Sequence, residues 1–255
     1  MTEATTEAMP SRIIEVADAA ALGACAAACF AAILRAKPDA LAVLPTGMTP
    51  LPFYAVVRAM FAEGKIGSGF TFLALDEYCG LPDGDQRLFA SWVGREILDP
   101  LGIPAARRIC FRSAAPDPDA EAARMAGALA AHGPIDVAFV GLGGNGHIGF
   151  NEPGSSFEAS ARVVDLAAAT IATNAAYWGT AMPGRAFTLG IGDLRAARHT
   201  IMLVSGALKA EILRRALTGP VGPDVPASYL QRQDNVTIIV DRAALAGRTA
   251  AEYLP

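Results

Sequence analysis

The stretch IDVAFVGLGGNGHIGFNEPGSS (135–156) decides how the chain is read. Its first six residues are almost continuously apolar and rich in β-branched and aromatic side chains. Such a run reads as a strand buried on both faces, the kind found in a parallel sheet. A long glycine-rich loop follows. Residues Gly141 to Gly146 match the GxGxxG spacing, yet Asn151, Pro153 and Gly154 interrupt any helix within two turns. A dinucleotide fingerprint has to open a long helix, so that reading fails.

Working outward, the same pattern repeats. Apolar runs at 39–44 (DALAVL), 70–75 (FTFLAL), 200–205 (TIMLVS) and 236–241 (VTIIVD) read as strands, with shorter ones at 108–111, 161–166 and 185–191. Helices are expected at 16–35, 50–63, 86–98, 118–131, 167–178 and 207–217. Strands alternating with helices specify an α/β fold: one doubly wound, mostly parallel sheet with helices on both faces, Rossmann-like, in a single domain over 11–255. Residues 1–10 read as a flexible N-terminus.

The bulk composition agrees. The chain has 255 residues, is 53% hydrophobic and 18% charged, and carries a net charge of −4. That excludes a disordered chain. The charge balance offers no general pull toward nucleic acid or an anionic membrane surface. The apolar run 19–34 lacks a basic flank and is shorter than a membrane span needs, so it reads as a buried helix. Cys25, Cys29, Cys79 and Cys110 are too few for a disulfide scaffold and read as core cysteines. A reduced, cytoplasmic protein is expected.

In a doubly wound sheet, ligands sit beyond the carboxyl ends of the strands, so the loops that follow strands hold the candidates. In 44–50 (LPTGMTP), Thr46, Gly47 and Thr49 offer backbone N–H groups and two hydroxyls at a helix start, an arrangement suited to an anion. In 75–82 (LDEYCGLP), Asp76 and Glu77 follow a strand. At a period of two they face opposite ways, leaving Asp76 as a candidate general base. His147 is flanked by glycines that admit a ligand, with Glu152 close enough in sequence to pair with it as a proton shuttle. His132 and His199 read as structural or surface groups. Lys209, in the first turn of a helix after a strand, opposes the helix dipole unless an anion binds there.

Taken together, these segments resemble the glucosamine-6-phosphate deaminase family, within a wider superfamily that includes 6-phosphogluconolactonases. The resemblance rests on LPTGMTPLPFY (44–54), FLALDEYCGLP (72–82), VGLGGNGHIGFNEPGSSF (140–157), FTLGIGDL (187–194), LVSGALKA (203–210) and PASYLQ (226–231). Lactonases share only the Gly-His of this set. The resemblance implies ring opening of an aminosugar 6-phosphate, proton transfer between C2 and C1, and release of ammonia, with no metal and no organic cofactor. It implies Asp76, His147, Glu152 and Asn145 as catalytic groups. Thr46, Gly47, Thr49 and Lys209 would hold the phosphate, and Tyr78, Gly146 and Asn151 would line the site. The partner is a small aminosugar phosphate. Monomers and homo-oligomers both occur in such a family, so the oligomeric state stays open, as does the choice between glucosamine and galactosamine. Lactone hydrolysis and non-catalytic sensing are the other readings.

Three departures from the family pattern stand out. Asn145 stands where many members carry Asp. The expected lid, about 159–183, has no basic residue near Ala175 and Ala176. Arg162 matches an allosteric position, but Val164 stands where a Lys would complete it, so weak or no allosteric activation is expected. Met48 is expected to narrow the phosphate loop.

Overall fold

The computed structural model describes residues 12–253, so the expectation for 1–10 lies outside the described residues. Seven parallel strands form the main sheet: β1 (Arg12–Val16), β2 (Leu41–Val43), β3 (Thr71–Leu73), β5 (Arg108–Ile109), β6 (Val137–Gly141), β9 (Thr200–Val204) and β10 (Val236–Asp241). Their order is β1-β10-β9-β6-β2-β3-β5. Three more strands, β4 (Asp76–Tyr78), β7 (Arg162–Asp165) and β8 (Arg185–Thr188), form a separate antiparallel sheet in the order β4-β8-β7. The helices are α1 (Ala19–Ala36), α2 (Leu51–Ala62), α3 (Phe89–Val93), α4 (Pro118–His132), α5 (Ala168–Trp178), α6 (Ile191–Arg195), α7 (Ala210–Thr218) and α8 (Arg242–Leu245).

From β2 the chain winds outward through β3 to β5. It then jumps back to β6, on the other side of β2, and continues through β9 to β10. Right-handed crossovers place the helices of the two directions on opposite faces. The sheet is therefore doubly wound, as expected, and the strand order reverses between β2 and β6. The core beneath α1 and α2 is aromatic: Phe30 meets Phe53, Phe70 and Phe139 edge-on at centroid distances of 5.9, 5.3 and 5.6 Å. Edge-to-face contacts suit the ring quadrupoles.

Helix α1 spans 18 residues and is apolar enough to cross a membrane by length and composition. Its Leu22, Ala26, Phe30 and Leu34 stripe is instead buried in this core, at helical spacing. Asp18 caps its start by accepting from the Ala21 N–H. Cys25 and Cys29 sit half-buried on its flank, as free thiols packed against the core.

The structure corrects two expectations. Residues Arg12–Val16 form edge strand β1, paired in register with β10 at the far end of the chain, where no strand was expected. Residues Asp76–Tyr78, expected to close the strand in a loop, are themselves strand β4. They leave the main sheet and pair with β8, Asp76 opposite Thr188 and Tyr78 opposite Ala186. Both pairings depend on partners distant in sequence, which local periodicity does not register. The small sheet carries its own core of Tyr78, Leu88, Phe150, Leu166 and Met182.

Candidate active site

A cavity of about 410 Å³ opens beyond the carboxyl ends of β9, β6, β2 and β3, four neighbours in the sheet that straddle the reversal of strand order. Doubly wound sheets leave a crevice at this point because the flanking connections part to opposite faces. Each strand contributes its following loop: Thr46, Gly47 and Thr49 after β2, Asp76 after β3, His147 after β6 and Lys209 after β9. Four separate sequence candidates thus converge on one space.

The turn after β2 is built for exposed backbone. Gly47 adopts φ +100°, a conformation open to glycine and strained for other residues. Pro50 and Pro52 then open α2. Buried Tyr54 donates to the Pro45 carbonyl at 2.6 Å and fastens the turn from below. Met48 lines the cavity but is 64% exposed, so it stands at the mouth rather than filling the site. Tyr177 also lines the mouth, and Leu208 neighbours Lys209. These three are the exposed large hydrophobic residues among those described.

Lys209 ends the short 3₁₀ turn Ala207–Lys209 that leads into α7. It is half-buried, and desolvation lowers its pKa. Among the described residues no carboxylate pairs with it. A partly desolvated ammonium with no counter-ion is a ready anion site.

Asp76 and Tyr78 face the cavity, whereas Glu77, between them, points the other way, as strand alternation requires. Burial pushes the Asp76 carboxyl well above the usual range, and the neighbouring Glu77 charge adds to the rise. Glu77 accepts the backbone N–H groups of Tyr78, Phe89 and Ala90, each at 2.9 Å, and so anchors the start of α3. Burial raises it to about 7 despite those bonds.

His147 Nδ1 lies 3.5 Å from Glu152 Oε2. Burial alone would raise Glu152, but the hydrogen bond from Asn145 and the nearby polar groups of His147 and Thr170 outweigh it and hold the carboxyl down to about 2. Asn145 does not hydrogen-bond the imidazole. Its amide donates to Glu152 Oε2 at 2.6 Å, and its carbonyl accepts the His147 backbone N–H at 3.1 Å. It thus holds both partners without contributing charge. The ring also needs Gly143: a Cβ there would stand 2.2 Å from His147 Nε2.

Two expected lining residues are not on the cavity wall. Asn151 is fully buried beneath it, donating to the Ile148 and Leu189 carbonyls at 2.9 and 2.8 Å and accepting from Arg162 at 2.8 Å. Gly146 packs against Val225 and Ile212. Both shape the loop that carries His147. Arg162 is committed to Asn151 and Ser155 rather than to a free surface. His132 and His199 lie away from the cavity.

Within the expected lid segment, about 159–183, sequence reasoning did not single out the α5 residues that line the cavity: Thr170, Thr173, Asn174 and Tyr177. Their i, i+3, i+4, i+7 spacing puts them on one helical face, a signal the sequence did carry. Trp92 of α3 donates to the Tyr177 hydroxyl at 3.3 Å and ties that wall to the rest. Among the described residues, no group of three or more His, Cys, Asp or Glu side chains is placed to hold a metal ion.

A doubly wound sheet whose switch-point cavity joins an unpaired cation to a carboxylate and a histidine–carboxylate pair belongs to the α/β proteins that bind small ligands at strand ends. More narrowly, the chain belongs to the glucosamine-6-phosphate isomerases/6-phosphogluconolactonase family, whose model matches residues 15–239. It is 41% identical over 247 residues to a glucosamine-6-phosphate deaminase of Cutibacterium acnes, covering 94% of each chain. It is 38% identical over 234 residues to a glucosamine-6-phosphate deaminase of Pseudarthrobacter chlorophenolicus, covering 91% of this chain and 90% of the relative. The solved structure of a monomeric glucosamine-6-phosphate deaminase superposes with a TM-score of 0.90 at 32% identity, over 93% of this chain and 100% of that one. A 6-phosphogluconolactonase from Trypanosoma brucei shares the fold, with a TM-score of 0.73 at 20% identity, over 94% of this chain and 100% of that one.

Proposed function

We propose that the chain converts glucosamine 6-phosphate and water into fructose 6-phosphate and ammonia. The observation that carries this reading is the convergence of Asp76, the His147–Glu152 pair and the unpaired Lys209 on one cavity of about 410 Å³. The relatives named as deaminases at 38 and 41% identity support the choice of reaction.

Lys209 and the Thr46–Thr49 turn hold the phosphate, a charge remote from the reacting carbons that orients the sugar. His147, oriented by Glu152, moves the proton that opens the ring between C1 and the ring oxygen. Asp76 takes the C2 proton of the open-chain aldehyde, and the electron pair forms a C1–C2 enolamine. Returning that proton to C1 leaves an imine at C2. Water adds to the imine carbon and ammonia departs, leaving the ketone. A carboxyl whose pKa is raised by burial suits this shuttle, because it is a stronger base than a solvated one. Asn145 is neutral, and Glu152 is the carboxylate that pairs with His147.

The single chain is the catalytic unit on this reading, as the monomeric relative suggests, and free half-buried thiols fit a reduced cytoplasm. The test is to incubate the protein with glucosamine 6-phosphate and, separately, galactosamine 6-phosphate, measuring ammonia and ketose 6-phosphate. Release from glucosamine 6-phosphate is expected. Release only from the galactosamine epimer moves the substrate, and hydrolysis of 6-phosphogluconolactone without deamination moves the chemistry.

A further inference from the structure

Glu152 is held asymmetrically. Its Oε2 accepts from Asn145 at 2.6 Å and lies 3.5 Å from His147 Nδ1. Its Oε1 is buried and makes no hydrogen bond, and His147 Nδ1 is likewise buried without one. A carboxylate pinned at one oxygen can still rock about that contact, and a buried unpaired acceptor is costly. Besides His147 and Asn145, the side chain facing this carboxylate is Thr170. Thr170 is 5% exposed, lies in the first turn of α5 and lines the cavity. It is therefore the one member of the cluster that comes from the α5 wall, whereas Asn145, His147 and Glu152 share a single loop.

We propose that Thr170 is a positioning residue for the reaction: its hydroxyl takes the free oxygen of Glu152 and thereby aims the other oxygen at His147 Nδ1. Thr170 acts through Glu152 and His147 and does not itself transfer a proton. The role follows from the chemistry of a two-point hold. With Asn145 on one side and Thr170 on the other, the carboxylate plane has one orientation, and the imidazole it faces has one tautomer available for the ring-opening step. It also links the placement of α5 to the readiness of the acid–base pair. This inference rests on the proposed deaminase reading.

The test compares Thr170→Val, which keeps the shape and removes the hydroxyl, with Thr170→Ser, which keeps the hydroxyl. Thr170→Val is expected to lower kcat for ammonia release about tenfold, the scale of a hydrogen bond to a charged group, with KM within about twofold. Thr170→Ser is expected to keep most of the wild-type kcat. A wild-type kcat in Thr170→Val, or equal loss in both variants, overturns the proposal. So does a raised KM at unchanged kcat, which would make Thr170 a substrate contact. A second readout needs no turnover: the Glu152 carboxyl, followed by ¹³C NMR between about pH 3 and 5, stays ionised in the wild type and begins to titrate in Thr170→Val. Absence of ammonia release from the wild type counts against the deaminase reading alone. Identical Glu152 titration in wild type and Thr170→Val counts against the role of Thr170 alone.

Discussion

Lys209 and Asp76 are the two residues whose environments most clearly call for a ligand. Lys209 is half-buried and unpaired among the described residues, and its burial works against its own charge. A bound phosphate removes that conflict. Lys209→Ala should therefore raise KM for glucosamine 6-phosphate by about tenfold or more, the worth of a charge-assisted hydrogen bond, while kcat changes little. Steady-state kinetics check this, and an unchanged KM removes Lys209 from the phosphate site. Asp76→Asn keeps the size of the side chain but cannot accept the C2 proton. It should lower kcat by about 10²–10⁴-fold, with sugar-phosphate binding retained in calorimetry. Equal loss of binding would refute its role as base. Both residues were legible in the sequence because position alone marked them, one at a helix start and one at a strand end. The placement of Asn145 was not. The sequence marked Asn145 only as a neutral residue where many members carry Asp, whereas the folded loop directs its amide to Glu152.

At the scale of elements, β4 illustrates how one short segment serves two sides. Asp76 and Tyr78 face the cavity and Glu77 faces α3, whose first N–H groups it accepts. Glu77 is 1% exposed and raised to about 7 by burial, against an ordinary value of 4.5. The folded state thus binds this proton more tightly than the unfolded state. The resulting stability is fully present below pH 4.5 and is lost as the pH rises through 7, at roughly 3 kcal/mol as an upper bound. Glu77→Gln cannot titrate, so the Tm advantage of wild type over this variant should shrink between pH 4.5 and 8. Thermal scans across that range check it, and a pH-independent difference would count against the assignment. The DEY tripeptide predicted the alternation of side chains but not the second sheet. Likewise, 167–178 was legible as a helix, but its role as a cavity wall depended on where the small sheet holds it.

For the molecule as a whole, the order of strands makes the site. The reversal between β2 and β6 brings four loops together that are widely spaced in sequence. Asp136 ties these halves beneath the sheet. It is almost fully buried, meets Lys37 Nζ at 2.5 Å and Arg198 Nε at 3.3 Å, and accepts the Leu41 N–H at 2.8 Å. Lys37 and Arg198 are about half exposed, which limits what the ion pairs contribute. Asp136→Asn should cost about 2 kcal/mol, lowering Tm by about 4–8 °C in a domain of this size. Its kinetic constants should stay near wild type, since the tie lies at the opposite end of the sheet from the cavity.

By itself the sequence determined the alternation of strands and helices, the strand-end location of the chemistry, and the motifs that mark the family. Those are carried by neighbours along the chain, through side-chain period and turn chemistry. The tertiary structure alone decided that Asp76–Tyr78 and Arg12–Val16 are strands, that Asn151 and Gly146 support the site rather than line it, and that Thr170, Thr173, Asn174 and Tyr177 are the α5 residues that reach the cavity. Strand pairing, desolvation and the hydrogen bonds of a buried carboxylate depend on which distant segments pack together, and no local pattern encodes that.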